Sequence, residues 1–193
     1  MSPALAQDAC LRTAVFLDKD GTLVKDVPFN TDPERVELMP SVGDGLRLLA
    51  QAGLPLFVVT NQPALASKQI SHAVFAQLAH RLEHCLRNEA GVELEAWYVC
   101  PHAREAGCDC RKPAAGLLQQ AARVHGIDLT QSWMVGDILD DVEAGRRAGC
   151  RSILIDVGNE TVWHKKALRE PHHTCANLVE AARMIVRQHA ERH

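Results

Sequence analysis

Aromatic side chains are scarce in this chain: Phe, Trp and Tyr together make up 4% of its 193 residues. A surface that stacks nucleic-acid bases needs aromatic platforms beside a basic groove. The basic groove is missing as well, because the formal net charge is −3 and no basic stripe runs through the sequence. Nucleic acid is therefore not the expected partner. Long apolar runs are absent too. None approaches the roughly 20 residues needed to cross a bilayer, so no membrane-spanning helix is expected. The first residues, MSPALAQDACLRTA, have no basic start followed by a long apolar run, and a secretory signal is not expected either. There is no internal repeat, low-complexity tract or linker. These absences point to one domain spanning residues 1–193, with a core over about 14–190, acting as a cytoplasmic monomer on a small molecule.

Seven cysteines are present, an odd number that does not suit a fully paired disulfide framework. Cys10, Cys85, Cys150 and Cys175 are scattered and read as small buried hydrophobes. Cys100, Cys108 and Cys110 instead cluster with His102 in the stretch CPHAREAGCDCRKP, a C-x-H-x5-C-x-C pattern. Three thiolates and one imidazole fill a tetrahedral Zn²⁺ shell and leave no open position, the arrangement of a structural site. A disulfide would leave one thiol over, and a surface loop with coincidental cysteines is the other alternative. The stretch has little apolar surface to order itself, so a metal clamp would fix the backbone that runs directly into Arg111 and Lys112. The histidines near the end, His172, His173, His189 and His193, lack acidic or cysteine companions at ligand spacing and are expected at the surface.

Short apolar runs alternate with amphipathic segments. AVFL (14–17), LPLFVVT (54–60), LEAWYV (94–99), SWMVG (132–136) and RSILID (151–156) read as buried strands. The segments over 41–53, 71–91, 114–126, 138–149 and 176–190 read as helices, with Ser71 as an N-cap and glycines as stops. This alternation predicts an α/β fold: three layers, Rossmann-like, with a central parallel sheet. Ligands of such sheets bind beyond the carboxyl ends of the strands.

Polar residues do collect at those ends. Asp18 and Asp20 follow the first strand, Thr60 and Asn61 end the second, Arg111 and Lys112 follow the third, and Asp137 ends the fourth with Asp140 and Asp141 close behind. Alone, a D-x-D in a loop is usually a solvated turn, and a GD after a strand is commonly just a helix start. Their order at successive strand ends gives them weight together. Converging acids repel unless a cation sits among them, and Asp18 and Asp137 with backbone and water oxygens suit Mg²⁺. Cations and a hydroxyl suit a phosphoryl group. A carboxylate can then serve as nucleophile, with a second one two residues later as general acid and base.

LDKDGTLV, VVTNQ, RKP and GDILDD resemble the four signature motifs of the haloacid dehalogenase (HAD) superfamily of phosphohydrolases, over about residues 15–156. DVPFN and CPH…CDCRKP resemble, within it, the branch of the D-glycero-D-manno-heptose-1,7-bisphosphate and histidinol-phosphate phosphatases. The resemblance implies Asp18 as nucleophile, Asp20 as general acid/base, and Thr60 and Lys112 as stabilisers of the phosphoryl group. It implies Asp26, Asn61, Gln62 and Arg111 at the substrate. Mg²⁺ would be held by Asp18, the main-chain carbonyl of Asp20, and Asp137, with Asp141 in support and Asp140 on the helix surface. Zn²⁺ on Cys100, His102, Cys108 and Cys110 would be structural. Neither interval between motifs has room for a cap domain, so an open site shaped by residues 25–31, 62–69 and the cysteine loop is expected. The implied activity is Mg²⁺-dependent removal of the 7-phosphate of a heptose 1,7-bisphosphate through an aspartyl phosphate. Histidinol phosphate or another small phosphomonoester is the alternative substrate, and a zinc-stabilised binding protein with impaired catalysis is the alternative class. The sequence departs from relatives at QPALASK, where many have a segment closer to QSGIARG, and at Ile138, where some have lysine.

Overall fold

The computed structural model describes residues 11–161, 163–164 and 166–192; Cys10 and His193 lie outside the described residues. Its centre is a sheet of six parallel strands in the order β3-β2-β1-β4-β5-β6. These are β1 (Val15–Leu17), β2 (Leu56–Asn61), β3 (Ala96–Cys100), β4 (Trp133–Gly136), β5 (Arg151–Ile155) and β6 (His173–Cys175). The chain winds outward from β1 to β3, then crosses back to place β4 on the other side of β1. That reversal opens a crevice at the carboxyl ends of β1 and β4, where an open α/β sheet takes its ligand.

Helices α1 (Val42–Gln51), α3 (His72–Ala90) and α6 (Leu178–Ala190) cover one face, and α4 (Gly116–His125) and α5 (Leu139–Ala148) the other. Successive strand side chains point to opposite faces. Val15, Leu17 and Val58 pack with Leu46, Leu82 and Ile185, whereas Phe16, Phe57 and Met134 pack with Leu118 and Ala121. The apolar runs are continuous for that reason, each residue being buried on one side or the other. Three layers and a parallel sheet are as the alternation predicts. Ser71 caps α3 by accepting a hydrogen bond from the Val74 N–H, and Gly91 ends the helix with φ +64°. Ser41 starts α1 without a side-chain cap bond.

The structure adds two elements. QPALASK, read as an altered loop, contains α2 (Pro63–Ala66) with proline at its first position, where the missing N–H costs nothing. Its Ala64 and Leu65 pack with Ile70 in a small separate cluster. The strand β6 falls in a polar segment, HTC, that carries no strand pattern; it pairs with the edge of β5. Between β1 and α1, and between β2 and α3, no second domain is inserted among the described residues.

Candidate active site

Strand register brings the polar ends level. Leu17 aligns with both Val58 and Val135, and Asn61 aligns with Cys100, so the residues after them emerge along one rim. Asp18 leaves β1 with its N–H bonded to the Val135 carbonyl at 2.9 Å. A tight turn follows, with Gly21 at φ +83°. Below it a cavity of about 470 Å³ is lined by Asp18, Asp20, Asp26, Thr60, Asn61, Gln62, Arg111, Lys112 and Asp137. Every residue expected at the catalytic or substrate site therefore faces one space.

Lys112 sits at the centre and is 2% exposed. Its ammonium pairs with Asp18, lies 2.6 Å from Asp141 Oδ1, and donates to the Val59 carbonyl at 2.7 Å. Asn61 holds the Lys112 backbone from both sides: its Oδ1 accepts from the Lys112 N–H at 3.0 Å, and its Nδ2 donates to the Lys112 carbonyl at 3.1 Å. Gln62 Nε2 donates to Asp20 Oδ2 at 2.8 Å and to Thr60 Oγ1 at 3.0 Å, so one amide links the second acid to the hydroxyl. Asp20 also pairs with Lys19.

Oxygens of Asp18, Asp137 and Asp141 all lie within 4.8 Å of one another. Three buried carboxylates thus face one ammonium, and when all three are ionised two negative charges are left unbalanced. The strain is visible in their protonation. Burial pushes the Asp18 carboxyl up to about 7, with Lys112 opposing and Asp141 and Asp20 adding to the rise. Burial and the Asp18 charge push Asp137 up to about 6, against hydrogen bonds from Asn159 and Thr22. Asp141 is raised as well, chiefly by burial. Burial works against the Lys112 ammonium, yet Asp141 and Asp18 hold its pKa above the ordinary lysine value, and it stays charged. An all-oxygen donor set short of two positive charges fits a hard divalent cation such as Mg²⁺.

The cysteine cluster is a separate centre beside this one. Cys100 Sγ lies 3.7 Å from Cys108 Sγ and 3.2 Å from Cys110 Sγ, and His102 Nδ1 lies 3.6 Å from Cys100 and 3.2 Å from Cys110. These separations are close to the edge of about 3.8 Å expected for a tetrahedron with Zn–S bonds of about 2.3 Å. They are well beyond a disulfide bond of about 2.05 Å, and all three cysteines are free thiols. Burial and the neighbouring thiols push Cys110 up to about 12, whereas Cys108, despite the opposing effect of burial, is drawn down to about 6 by the Arg111 backbone N–H and its thiol neighbours. The cluster joins the active site directly: Arg111 Nη1 donates to the His102 carbonyl at 3.0 Å, and Lys112 is the next residue.

One expectation changes. Asp140, expected on the helix surface, is 7% exposed and lies 3.0 Å from Arg169 and 3.5 Å from Arg104. The physical reason is that Arg169, 29 positions away in the chain, crosses α5 and bridges Asp140 and Glu143, with Arg104 and Arg147 supplying the further charge. Asp141, expected in support of the metal site, is fully buried, lies 2.6 Å from the Lys112 ammonium and accepts from the Ile138 N–H at 3.4 Å. His172 is exposed, as expected, and its Nδ1 accepts from the Ser152 N–H at 2.9 Å. Sequence reasoning also missed Asn159, which donates to Asp137 Oδ2 at 2.8 Å, and the wall of the cavity formed by Phe75, Leu78 and Leu82 of α3. The i, i+3, i+7 spacing of that wall was available as a signal, but not which side of the helix it would serve.

A HAD-hydrolase-like family model matches residues 109–181. The D-glycero-beta-D-manno-heptose-1,7-bisphosphate 7-phosphatase of Haemophilus ducreyi is 39% identical over 154 residues, covering 76% of this chain and 85% of that one. The Haemophilus influenzae protein of the same name is 34% identical over 184 residues, covering 92% and 98%. Among solved structures, the D,D-heptose 1,7-bisphosphate phosphatase from B. bronchiseptica, complexed with magnesium and phosphate, superposes with a TM-score of 0.83 at 29% identity, covering 91% of this chain and 99% of that one.

Proposed function

Since the chain belongs to the HAD phosphatase family, in the branch of the heptose-1,7-bisphosphate 7-phosphatases, we propose that it hydrolyses the 7-phosphate of D-glycero-D-manno-heptose 1,7-bisphosphate. The observation that carries this reading is the convergence of Asp18, Asp20, Thr60, Lys112 and Asp137 on one cavity at the carboxyl ends of the strands.

Asp18 attacks phosphorus in line with the sugar oxygen. As the Asp18–phosphorus bond forms and the phosphorus–sugar bond breaks, Asp20 gives its proton to the departing oxygen. Asp20, now a carboxylate, takes a proton from water, whose oxygen attacks the same phosphorus and releases Asp18 with inorganic phosphate. Lys112 and the Thr60 hydroxyl hold phosphoryl oxygens through both steps, and Asn61 keeps Lys112 in place by its backbone. Gln62 orients Asp20 and Thr60 relative to each other. Asp18, Asp137 and the main-chain carbonyl of Asp20 would hold Mg²⁺, which when bound neutralises charge on the phosphoryl oxygens and keeps Asp18 ionised. Arg111 and Asp26 line the cavity where the sugar would lie.

Cys100, His102, Cys108 and Cys110 would hold Zn²⁺, which would order the loop before Arg111 and take no part in the chemistry. Free thiols throughout the described residues support a reducing, cytoplasmic setting. We read residues 1–193 as one catalytic domain.

Phosphate release with Mg²⁺ over both anomers of the heptose bisphosphate, histidinol phosphate and simple sugar phosphates tests the reading. The bisphosphate should be turned over fastest, and Asp18→Asn should lose at least about 10⁴-fold in kcat. Preference for histidinol phosphate would overturn the substrate, and undiminished turnover by Asp18→Asn would overturn the nucleophile.

A further inference from the structure

Asp137 is oriented by two neutral donors that reach it from different parts of the chain. Thr22 Oγ1 donates to Oδ1 at 2.9 Å, and Asn159 Nδ2 donates to Oδ2 at 2.8 Å. Gly21 leaves room for the second bond, since a Cβ there would lie 2.2 Å from Asp137 Oδ2 and 2.6 Å from Asn159 Nδ2. Neutral donors fix a carboxylate's direction without cancelling its charge, so the remaining lone pairs stay available to a cation.

Asn159 lies in the connection between β5 and β6, and described residues of that connection are stitched along α5. Glu160 Oε2 accepts from the Leu139 N–H at 2.8 Å, at the start of the helix. Arg169 lies 3.0 Å from Asp140 and 3.3 Å from Glu143, one turn apart on the same helix. Asp140 and Glu143 are each 7% exposed, so these ion pairs are shielded from water far better than surface pairs.

We propose that Asn159 is a positioning residue for the divalent cation: it aims Asp137, and Arg169, paired with the buried Asp140 and Glu143, holds the connection that delivers it. Asn159 also lines the cavity, and in this scheme it acts through Asp137 and not on the reacting atoms, which is why the test is made without substrate. The inference rests on the cation of the proposed phosphatase and is independent of which sugar is bound.

Calorimetric titration of the full chain with Mg²⁺, without substrate, tests it. Asn159→Ala should raise the Mg²⁺ dissociation constant about tenfold or more, the cost typical of a lost outer-shell partner. Its metal-free melting temperature should stay that of the parent, because the side chain is exposed. Arg169→Met, which removes no contact to Asp18, Asp137 or Asp141, should weaken Mg²⁺ in the same direction, and the double variant should be no weaker than Asn159→Ala. A dissociation constant within about twofold of the parent for Asn159→Ala overturns the proposal. So does a lowered melting temperature with unchanged Mg²⁺ affinity, or a parent chain that binds no Mg²⁺. A parent that binds Mg²⁺ but releases no phosphate from any substrate overturns the phosphatase reading and leaves this inference standing.

Discussion

Two clusters of potential metal ligands lie beside Arg111, and they are built in opposite ways. The thiol and imidazole cluster comes from eleven consecutive residues, Cys100–Cys110, with His102 exposed and with none of its four ligands lining the cavity. The carboxylate cluster draws Asp18, Asp137 and Asp141 from ends of two strands and the start of a helix, all buried, with Lys112 brought in from a third place. Soft sulfur and closed geometry suit a metal that only holds the chain. Hard oxygen, unbalanced charge and an adjoining cavity suit a metal that meets a substrate. The single peptide link from Arg111 to Lys112 couples one to the other, so under the proposed function a metal-ordered loop would set where the Lys112 ammonium stands.

The largest effect should come from removing that ammonium. Lys112→Ala leaves Asp18 and Asp141 buried without their partner, which should cost about 3–5 kcal/mol of stability and abolish turnover. Denaturant unfolding in metal-free buffer, beside a phosphate-release assay, measures both. A stable but inactive variant would show that the carboxylates simply take up protons instead.

Breaking the clamp should be milder. Cys108→Ser, or zinc removal by a chelator that leaves Mg²⁺ in excess, should lower kcat/KM on the order of 100-fold through a displaced Lys112, with the sheet intact by circular dichroism. Full activity in zinc-free protein with an ordered loop would separate the two centres completely.

The smallest effect, and the sharpest contrast, concerns protons. Asp18 and Asp137 are raised to about 7 and about 6, so the folded, metal-free chain holds protons there that a cation must displace. As pH rises through that range the carboxyls ionise, and Mg²⁺ affinity should increase from about pH 5 to about pH 8 and then level off. In the metal-free protein the same shifts work the other way on stability. The folded state binds more protons than the unfolded one between the ordinary carboxylate value and the raised values, so these groups stabilise less as pH climbs through that window. Calorimetry in buffers of different ionisation enthalpy should detect proton release on Mg²⁺ binding near pH 6 and little near pH 8.

The legible parts of this site were those whose chemistry is local in the chain. Asp18, Thr60 and Asp137 each follow a short apolar run, and a run of that kind in a parallel sheet has only one place for a polar residue, its end. The sulfur cluster was legible because its four ligand-type side chains all fall within eleven consecutive positions of the chain. Asp140 was not, because LDDVEAGRRA reads as a solvated helix face until Arg169 crosses it. Asn159 in VGNE is an ordinary turn residue until the β5–β6 connection returns it to Asp137. Pro63 marked a departure, and only the structure shows that it starts a helical turn.

Sequence by itself determined the layers, the strand ends, the ligand types and the adjacency of clamp and ammonium, since these depend on periodicity and on neighbours along the chain. Tertiary structure alone decided which acids are buried together, how much charge is left over for a cation, and which distant residues orient Asp137. The reason is physical. Desolvation and Coulomb energy depend on distance and burial, and neither can be measured along a sequence.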